Sequence, residues 1–383
     1  MIYLDNSATT YPKPIMVTNA VNNAMKKYAA NPGRSGHNMS MASASEIYNC
    51  RKTAAKLFSV ESPENVIFTL NCTQAINIVL KGLLKPNDNV VLSCLEHNAV
   101  LRPLYKLKEI GITTTVATVY PGDNDKTLNS FRDAISSKTK LIVCMHASNV
   151  WGIRLPVERL AALAHQYGIP ILVDAAQSAG LFPIDFEDSN IDYLCIAGHK
   201  GLYGPMGTGM LITKHGENLD TLFEGGTGSN SISPIQPDFM PDRFESGTPN
   251  MSGIAGLRAG MEFVIKKKPE NILMHENKLI VYLYERLLKL EKVKLYMPKP
   301  DMQFFAPLLS FNIEGMQSEE VSLILNQNNI AVRAGLHCSP DAHEFVGTLD
   351  TGAVRVCPSV FNRKSDIDNL LFVLSRKVIK PNF

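Results

Sequence analysis

No apolar run in this 383-residue chain approaches a membrane-spanning helix, which takes about 20 consecutive apolar residues. The opening MIYLDNSATT lacks the pattern of a secretory signal. Neither sign of charge is in excess: 38 basic against 36 acidic residues leave a net +2. That balance gives no electrostatic footing for nucleic acid or an anionic membrane surface. There is no C-x-x-C pair, and the seven cysteines are odd in number and without framework spacing. Reduced thiols in a cytoplasm are therefore expected, not a disulfide scaffold. Internal repeats, low-complexity tracts and metal-ligand clusters are also missing from the sequence. What remains, 45% hydrophobic and 19% charged residues, is ordinary globular composition. The length suits two domains better than one small core.

Chemistry concentrates in residues 171–201, ILVDAAQSAGLFPIDFEDSNIDYLCIAGHKG. One apolar run ends at Asp174, with Gln177 just beyond it. A second, YLCIA, delivers His199 and Lys200 into a glycine-rich turn. In open α/β sheets ligands bind beyond the carboxyl ends of strands. A lysine there is a poor structural choice, because burying an ammonium costs free energy. It is a good catalytic choice, because a lysine with depressed pKa forms Schiff bases. An aspartate nearby can hold a pyridinium nitrogen protonated, which makes pyridoxal phosphate an electron sink. Taken singly, Asp174 could cap a helix and Lys200 could be a solvated turn residue. The ordered pair of strands ending in Asp-x-x-Gln and Gly-His-Lys-Gly is far more specific.

The rest of the chain alternates. Helices are expected over residues 15–28, 40–58, 127–136 and 156–167, and one starts near Thr73. Strands are expected at VIF, NVVLS, TTTVATV, LIVCMH, IPILVD, YLCIA and TGMLIT. Near-continuous apolar strands between helices imply an α/β fold with a mostly parallel sheet covered on both faces. Composition shifts near residue 250, where EGGTGSNS and RFESGTPN form loops. A helix-rich stretch follows, with strands near LYM and LLSFNI and a helix over 318–328. The expected division is a large domain over 15–250, a smaller α+β domain over 251–383, and a segment 1–14 packing on the small domain.

Other polar residues stand at element ends. Arg34 and His37 lie in the loop NPGRSGHNMS, where a histidine is ordinarily solvated. The turn Asn71-Cys72-Thr73-Gln74 opens a helix whose first amides form a natural phosphate site. His97 follows NVVLS and could equally cap a helix or settle in the core. Asn149 follows LIVCMH and could close an Asx-turn. Thr248 sits in a loop that could simply connect domains. Later come a strand carrying Arg333, a polar loop holding His337 and Cys338, and a strand carrying Arg355. A nucleophilic cysteine needs thiolate character, which nearby cations favour. The other six cysteines read as small buried hydrophobes, and the two arginines could be plain salt-bridge partners.

Together these motifs resemble class V aminotransferase-fold enzymes, and among them most closely the cysteine desulfurases of the group II, short-loop type. The resemblance spans essentially the whole chain: N-x-x-R-x-x-H, the E-H-x-[AS] histidine, the Asp-Gln-Lys region, R-F-E-x-G-T-P-N and R-x-G-x-H-C. It implies a pyridoxal 5'-phosphate-dependent fold type I enzyme that converts L-cysteine to L-alanine. The sulfur would pass to Cys338 as a persulfide and on to an acceptor protein.

By the same resemblance Lys200 would carry the cofactor and move the α-proton, while His97 stacks on its ring. Asp174, Gln177, Thr73, Cys72, His199 and Asn149 would complete the cofactor site. Arg355 would clamp the substrate carboxylate, with Asn149, His37 and Arg34 at the edge. Thr248 would reach the cofactor phosphate of the neighbouring subunit, which implies a homodimer with shared sites. Selenocysteine lyases share the fold, the lysine and sometimes the cysteine loop, so L-selenocysteine is the alternative substrate; an aminotransferase would leave Cys338 without purpose. A non-catalytic scaffold or sulfur-relay partner is the reading of another class.

The sequence departs from the family at four places. Asn71-Cys72-Thr73-Gln74 stands for G-T-T-E, Ala197 for a phosphate-binding Ser or Thr, Leu336 for a histidine, and Ser339 for an alanine.

Overall fold

A computed structural model describes residues 1–33 and 35–379. The chain opens with a short strand, β1 (Ile2–Tyr3). Seven further strands follow: β2 (Val66–Thr69), β3 (Asn89–Ser93), β4 (Thr113–Ala117), β5 (Thr139–Met145), β6 (Ile171–Asp174), β7 (Tyr193–Ala197) and β8 (Gly209–Thr213). They form one sheet in the order β2-β8-β7-β6-β5-β3-β4. Every pairing is parallel except those of β8, which runs antiparallel to both β2 and β7. The mostly parallel sheet expected from the apolar runs is therefore present.

Strands of this kind bury both faces. In β6, Ile171 and Val173 belong to one apolar cluster while Leu172 belongs to another. In β7, Leu194 and Ile196 face the first cluster, and Tyr193 and Cys195 the second. Helices Asn38–Leu57, Val157–Gln166 and Met251–Lys267 bury side chains in the first cluster, and Cys72–Leu83 and Asn98–Leu107 in the second. Each fully buried Leu or Ile stabilises this arrangement by roughly 1.5–3 kcal/mol.

Strands β9 (Val293–Leu295), β10 (Leu309–Ile313) and β12 (Val354–Val356) form an antiparallel sheet in the order β12-β10-β9. Strand β11 (Ile330–Ala331) pairs in parallel with β1. Leu4 is fully buried beside Phe311, Val354 and Ile367, so the first residues share the apolar cluster of this second sheet.

The expected boundary at residue 251 needs correction. Helix Met251–Lys267 buries Met251, Ile254, Ala255, Leu257 and Met261 in the large-sheet cluster, packed on helices Ile15–Lys27 and Asn38–Leu57. The shift in composition marks a loop, not the end of the first core. Arg333 was expected on a strand, but β11 ends at Ala331; Arg333 meets Arg355 only through an isolated backbone bridge.

Candidate active site

The parallel register brings Met145 and Asp174, the last residues of β5 and β6, side by side with Cys195, two residues before the end of β7. Lys200 follows β7 by one turn. The turn can lie against residues 179–180 because two glycines meet there. A Cβ on Gly180, whose φ is +88, would fall 2.3 Å from the Gly201 carbonyl oxygen, and one on Gly201 would fall 2.4 Å from that of Ala179. Thr10 Oγ1 donates to the Lys200 carbonyl at 3.1 Å, and Lys13 Nζ to the His199 carbonyl at 2.7 Å. The N-terminal segment thus holds the Lys200 turn from outside.

Beyond the strand ends lies a cavity of about 230 Å³. Lys200, Asp174, Gln177, His97, Thr73, Cys72, His199 and Asn149, all singled out from sequence, line it. Burial pulls the Lys200 ammonium below its ordinary value, with Asp174 opposing that shift. Asp174 Oδ1 accepts from the Ala176 amide at 2.9 Å and from Cys72 Sγ at 3.3 Å. No hydrogen bond to its Oδ2 is made among the described residues. Burial first, then the Lys200 and Lys13 charges, lowers His199 to about 4, and its Nδ1 is buried without a partner.

His97 is a half-buried helix cap that also faces the cavity. Its Nδ1 accepts from Ala99 N at 3.0 Å as the cap of helix Asn98–Leu107, while the ring lines the cavity. Burial lowers its pKa, which favours the neutral imidazole. Asn71 Oδ1 caps helix Cys72–Leu83 through Gln74 N at 2.9 Å, and Gln74 Oε1 accepts from Leu70 N at 2.6 Å. The first amides of a helix have no intrahelical partner, and here they belong to cavity residues Cys72 and Thr73. Gln177 is held at both ends of its amide: Ser7 Oγ donates to its Oε1 at 2.8 Å, and its Nε2 donates to the Ser7 carbonyl at 3.0 Å.

Asn149 joins this cavity to the cysteine loop. Its Nδ2 donates to the His337 carbonyl at 2.8 Å, and its Oδ1 accepts from Ser339 Oγ at 2.7 Å. The residues on either side of Cys338 are therefore tied to a cavity wall. The Cys338 carbonyl accepts from Asn98 N at 2.8 Å. Cys338 is exposed, whereas Cys50, Cys72, Cys144, Cys195 and Cys357 are buried and Cys94 is half-buried. Arg333 Nη2 approaches Cys338 Sγ at 3.6 Å, a sulfur contact that the sequence does not disclose. His337 and Cys338 have φ of +51 and +58, a left-handed conformation that costs a non-glycine residue about 1–3 kcal/mol.

Arg355 is buried. Its Nη1 donates to the Asn149 carbonyl and its Nη2 to Asp5 Oδ1, both at 2.8 Å, and Nε has no partner. Asp5 was missed, because nothing in YLDNSATT marks its partner. Glu96, also missed, is fully buried, accepts from Met145 N at 3.0 Å, and is pushed up to about 8 by burial.

His37 and Thr248 are not among the residues that line this cavity. His37 is exposed and caps helix Asn38–Leu57 through Ser40 N at 3.2 Å. Thr248 is exposed on a separate groove of about 510 Å³ that also takes in Leu70 and Gln74. Arg34 lies outside the described residues. Among the described residues no three His, Cys, Asp or Glu side chains could hold a metal ion, and no helix is long and apolar enough to cross a membrane.

Residues 2–370 match the family described as Aminotransferase class-V. The chain belongs to that family. Relatives within it sharpen the comparison. A probable cysteine desulfurase of Halalkalibacterium halodurans is 32% identical over 97% of this chain and 91% of its own. The cysteine desulfurase of Haloferax volcanii is 30% identical over 97% and 88%. The apo structure of the cysteine desulfurase from Thermococcus onnurineus NA1 superposes with a TM-score of 0.90 at 31% identity, over 99% of this chain and 94% of that one. The Escherichia coli cysteine desulfurase CsdA in its S-sulfonic acid form gives a TM-score of 0.87 at 26% identity, over 97% and 93%.

Proposed function

We propose that the protein is a pyridoxal phosphate-dependent cysteine desulfurase that releases L-alanine from L-cysteine and carries the sulfur on Cys338. One observation carries this reading: the exposed cysteine sits in a loop whose two flanking residues are tied by Asn149 to the Lys200 cavity. Asp174 supplies an uncommitted oxygen for a ring nitrogen, Lys200 a half-buried amine for an aldehyde, and His199 Nδ1 with the first amides of helix Cys72–Leu83 a place for phosphate. These donors fit pyridoxal phosphate, although Ala197 brings no hydroxyl to the phosphate. Bound there, the cofactor supplies an electron sink for carbanion chemistry at an amino acid's Cα.

The remaining work belongs to the chain. Lys200, depressed by burial, takes and returns a proton through Nζ. Arg355 offers a guanidinium for the substrate carboxylate. Cys338 Sγ attacks the substrate sulfur: the C–S bond breaks and an S–S bond forms. The protein then holds Cys338–S–SH, and the carbon fragment leaves with the extra hydrogen as alanine. A second subunit would contribute Thr248 from its own separate groove. The free thiols suit a reducing cytoplasm, where an acceptor protein would take the sulfur.

Alanine release from L-cysteine by the pyridoxal phosphate-loaded enzyme is the test. Cys338→Ala is expected to lose at least about 100-fold, the scale on which an enzyme loses a group made essential by its chemistry. A variant that keeps its activity would overturn the assignment of Cys338, and a strong preference for L-selenocysteine would identify a lyase instead.

A further inference from the structure

The reaction just described uses the backbone amide of Cys72 but not its side chain, yet the sulfur meets the aspartate on which the cofactor reading depends. It is the first residue of helix Cys72–Leu83, is 7% exposed, lines the Lys200 cavity and places Sγ 3.3 Å from Asp174 Oδ1. The Ala176 amide takes the same oxygen at 2.9 Å. Both protein donors therefore converge on Oδ1, and neither engages Oδ2. Burial, and then the Asp174 charge, push the Cys72 thiol far up, so it stays an S–H donor and does not become a competing anion. A thiol is a weaker donor than a hydroxyl. It fixes the carboxylate through a weaker bond than a serine hydroxyl in its place would make.

We propose that Cys72 is a positioning residue of this site: its S–H holds Asp174 Oδ1, leaves Oδ2 for the pyridine nitrogen of the cofactor, and keeps that carboxylate more basic than a hydroxyl would. The inference rests on reading the cavity as a pyridoxal phosphate site. A more basic carboxylate keeps the ring nitrogen protonated to higher pH.

Cys72→Ala and Cys72→Ser should be compared with wild type by loading each with pyridoxal phosphate labelled with 15N in the ring. The readouts are the cofactor dissociation constant and the pH at which the 15N shift moves; neither needs turnover. Loss of one net hydrogen bond predicts about 2- to 10-fold weaker cofactor binding in Cys72→Ala, with binding restored in Cys72→Ser. The stronger serine donor should move the 15N transition to lower pH than in wild type. If both variants match wild type in affinity and in 15N titration, the inference is wrong while the cofactor reading stands. If wild type binds no pyridoxal phosphate, the cofactor reading itself falls, and this inference with it.

Discussion

Asp5→Ala tests how Arg355 is held. The arginine side chain is 1% exposed and its carboxylate partner 19%, at 2.8 Å. Without Asp5, the guanidinium keeps a single acceptor, the Asn149 carbonyl, and its Nε already has none. Removing one partner of a buried pair costs about 3–5 kcal/mol, because an uncompensated charge stays behind. Water can reach a partner that is one-fifth exposed, so the lower end applies, about 3 kcal/mol. Asp5→Asn keeps an oxygen acceptor and should lose roughly half of that. Removing both charges in Asp5→Ala/Arg355→Leu should bring stability back toward wild type, since an apolar replacement of a whole buried pair is often neutral. Urea denaturation of the three variants at one protein concentration reads these differences. In the single variants KM for L-cysteine should rise more than kcat falls, because the guanidinium loses its aim. A loss below about 0.5 kcal/mol in Asp5→Ala, the scale of an exposed pair, would refute the argument, as would a double variant no more stable than the single one.

Two more perturbations follow from the geometry. His343, fully buried, is lowered by burial to about 4. The unfolded chain therefore binds more protons below about pH 6.5, and stability falls as pH drops. Between pH 7 and 5 this group alone should remove about 2 kcal/mol; His343→Gln should show a smaller drop in urea midpoint over that range, and an equal drop would count against it. Gly180→Ala would force a Cβ to 2.3 Å from the Gly201 carbonyl at φ +88, whereas Gly168→Ala at φ +68 meets no atom within 4 Å. The first should cost about 2 kcal/mol more than the second and weaken pyridoxal phosphate capture; equal losses would show that the Lys200 turn tolerates displacement.

What could be read in the sequence was local. NVVLS and YLCIA stand out because strands buried on both faces are continuous apolar runs, and both occur as strands with those bounds. Asp174, Gln177, His199 and Lys200 were legible because they follow such runs directly. The supports were not. Ser7 and Gln177 are 170 residues apart, Asp5 and Arg355 350, and Asn149 and the His337 carbonyl 188. No periodicity reports a backbone carbonyl as a partner. Helix Pro340–Val346 was missed although proline at its first position is a usable start signal. Its seven residues are too few for a helical period to declare itself.

Those unread supports decide what kind of loop bears Cys338. Besides the two Asn149 bonds and the Asn98 amide, His337 Nε2 meets the Ala353 carbonyl at 3.0 Å, and Ala353 N donates to the Gly335 carbonyl at 3.1 Å. On the far side, a Cβ on Gly352 would lie 2.7 Å from Gly335 Cα, so the loop is packed as well as bonded. At about 1 kcal/mol net for each hydrogen bond, lifting residues 335–339 away from the cavity gives up roughly 5 kcal/mol. Part is returned by relieving the two left-handed residues, at about 1–3 kcal/mol each. Together the two residues return about 2–6 kcal/mol, so hydrogen bonding and backbone strain nearly offset each other, and the close packing of Gly335 against Gly352 also bears on where the loop sits. In the seated loop Cys338 has Arg333 beside its sulfur, and on the proposed function the sulfur acceptor meets the thiol there.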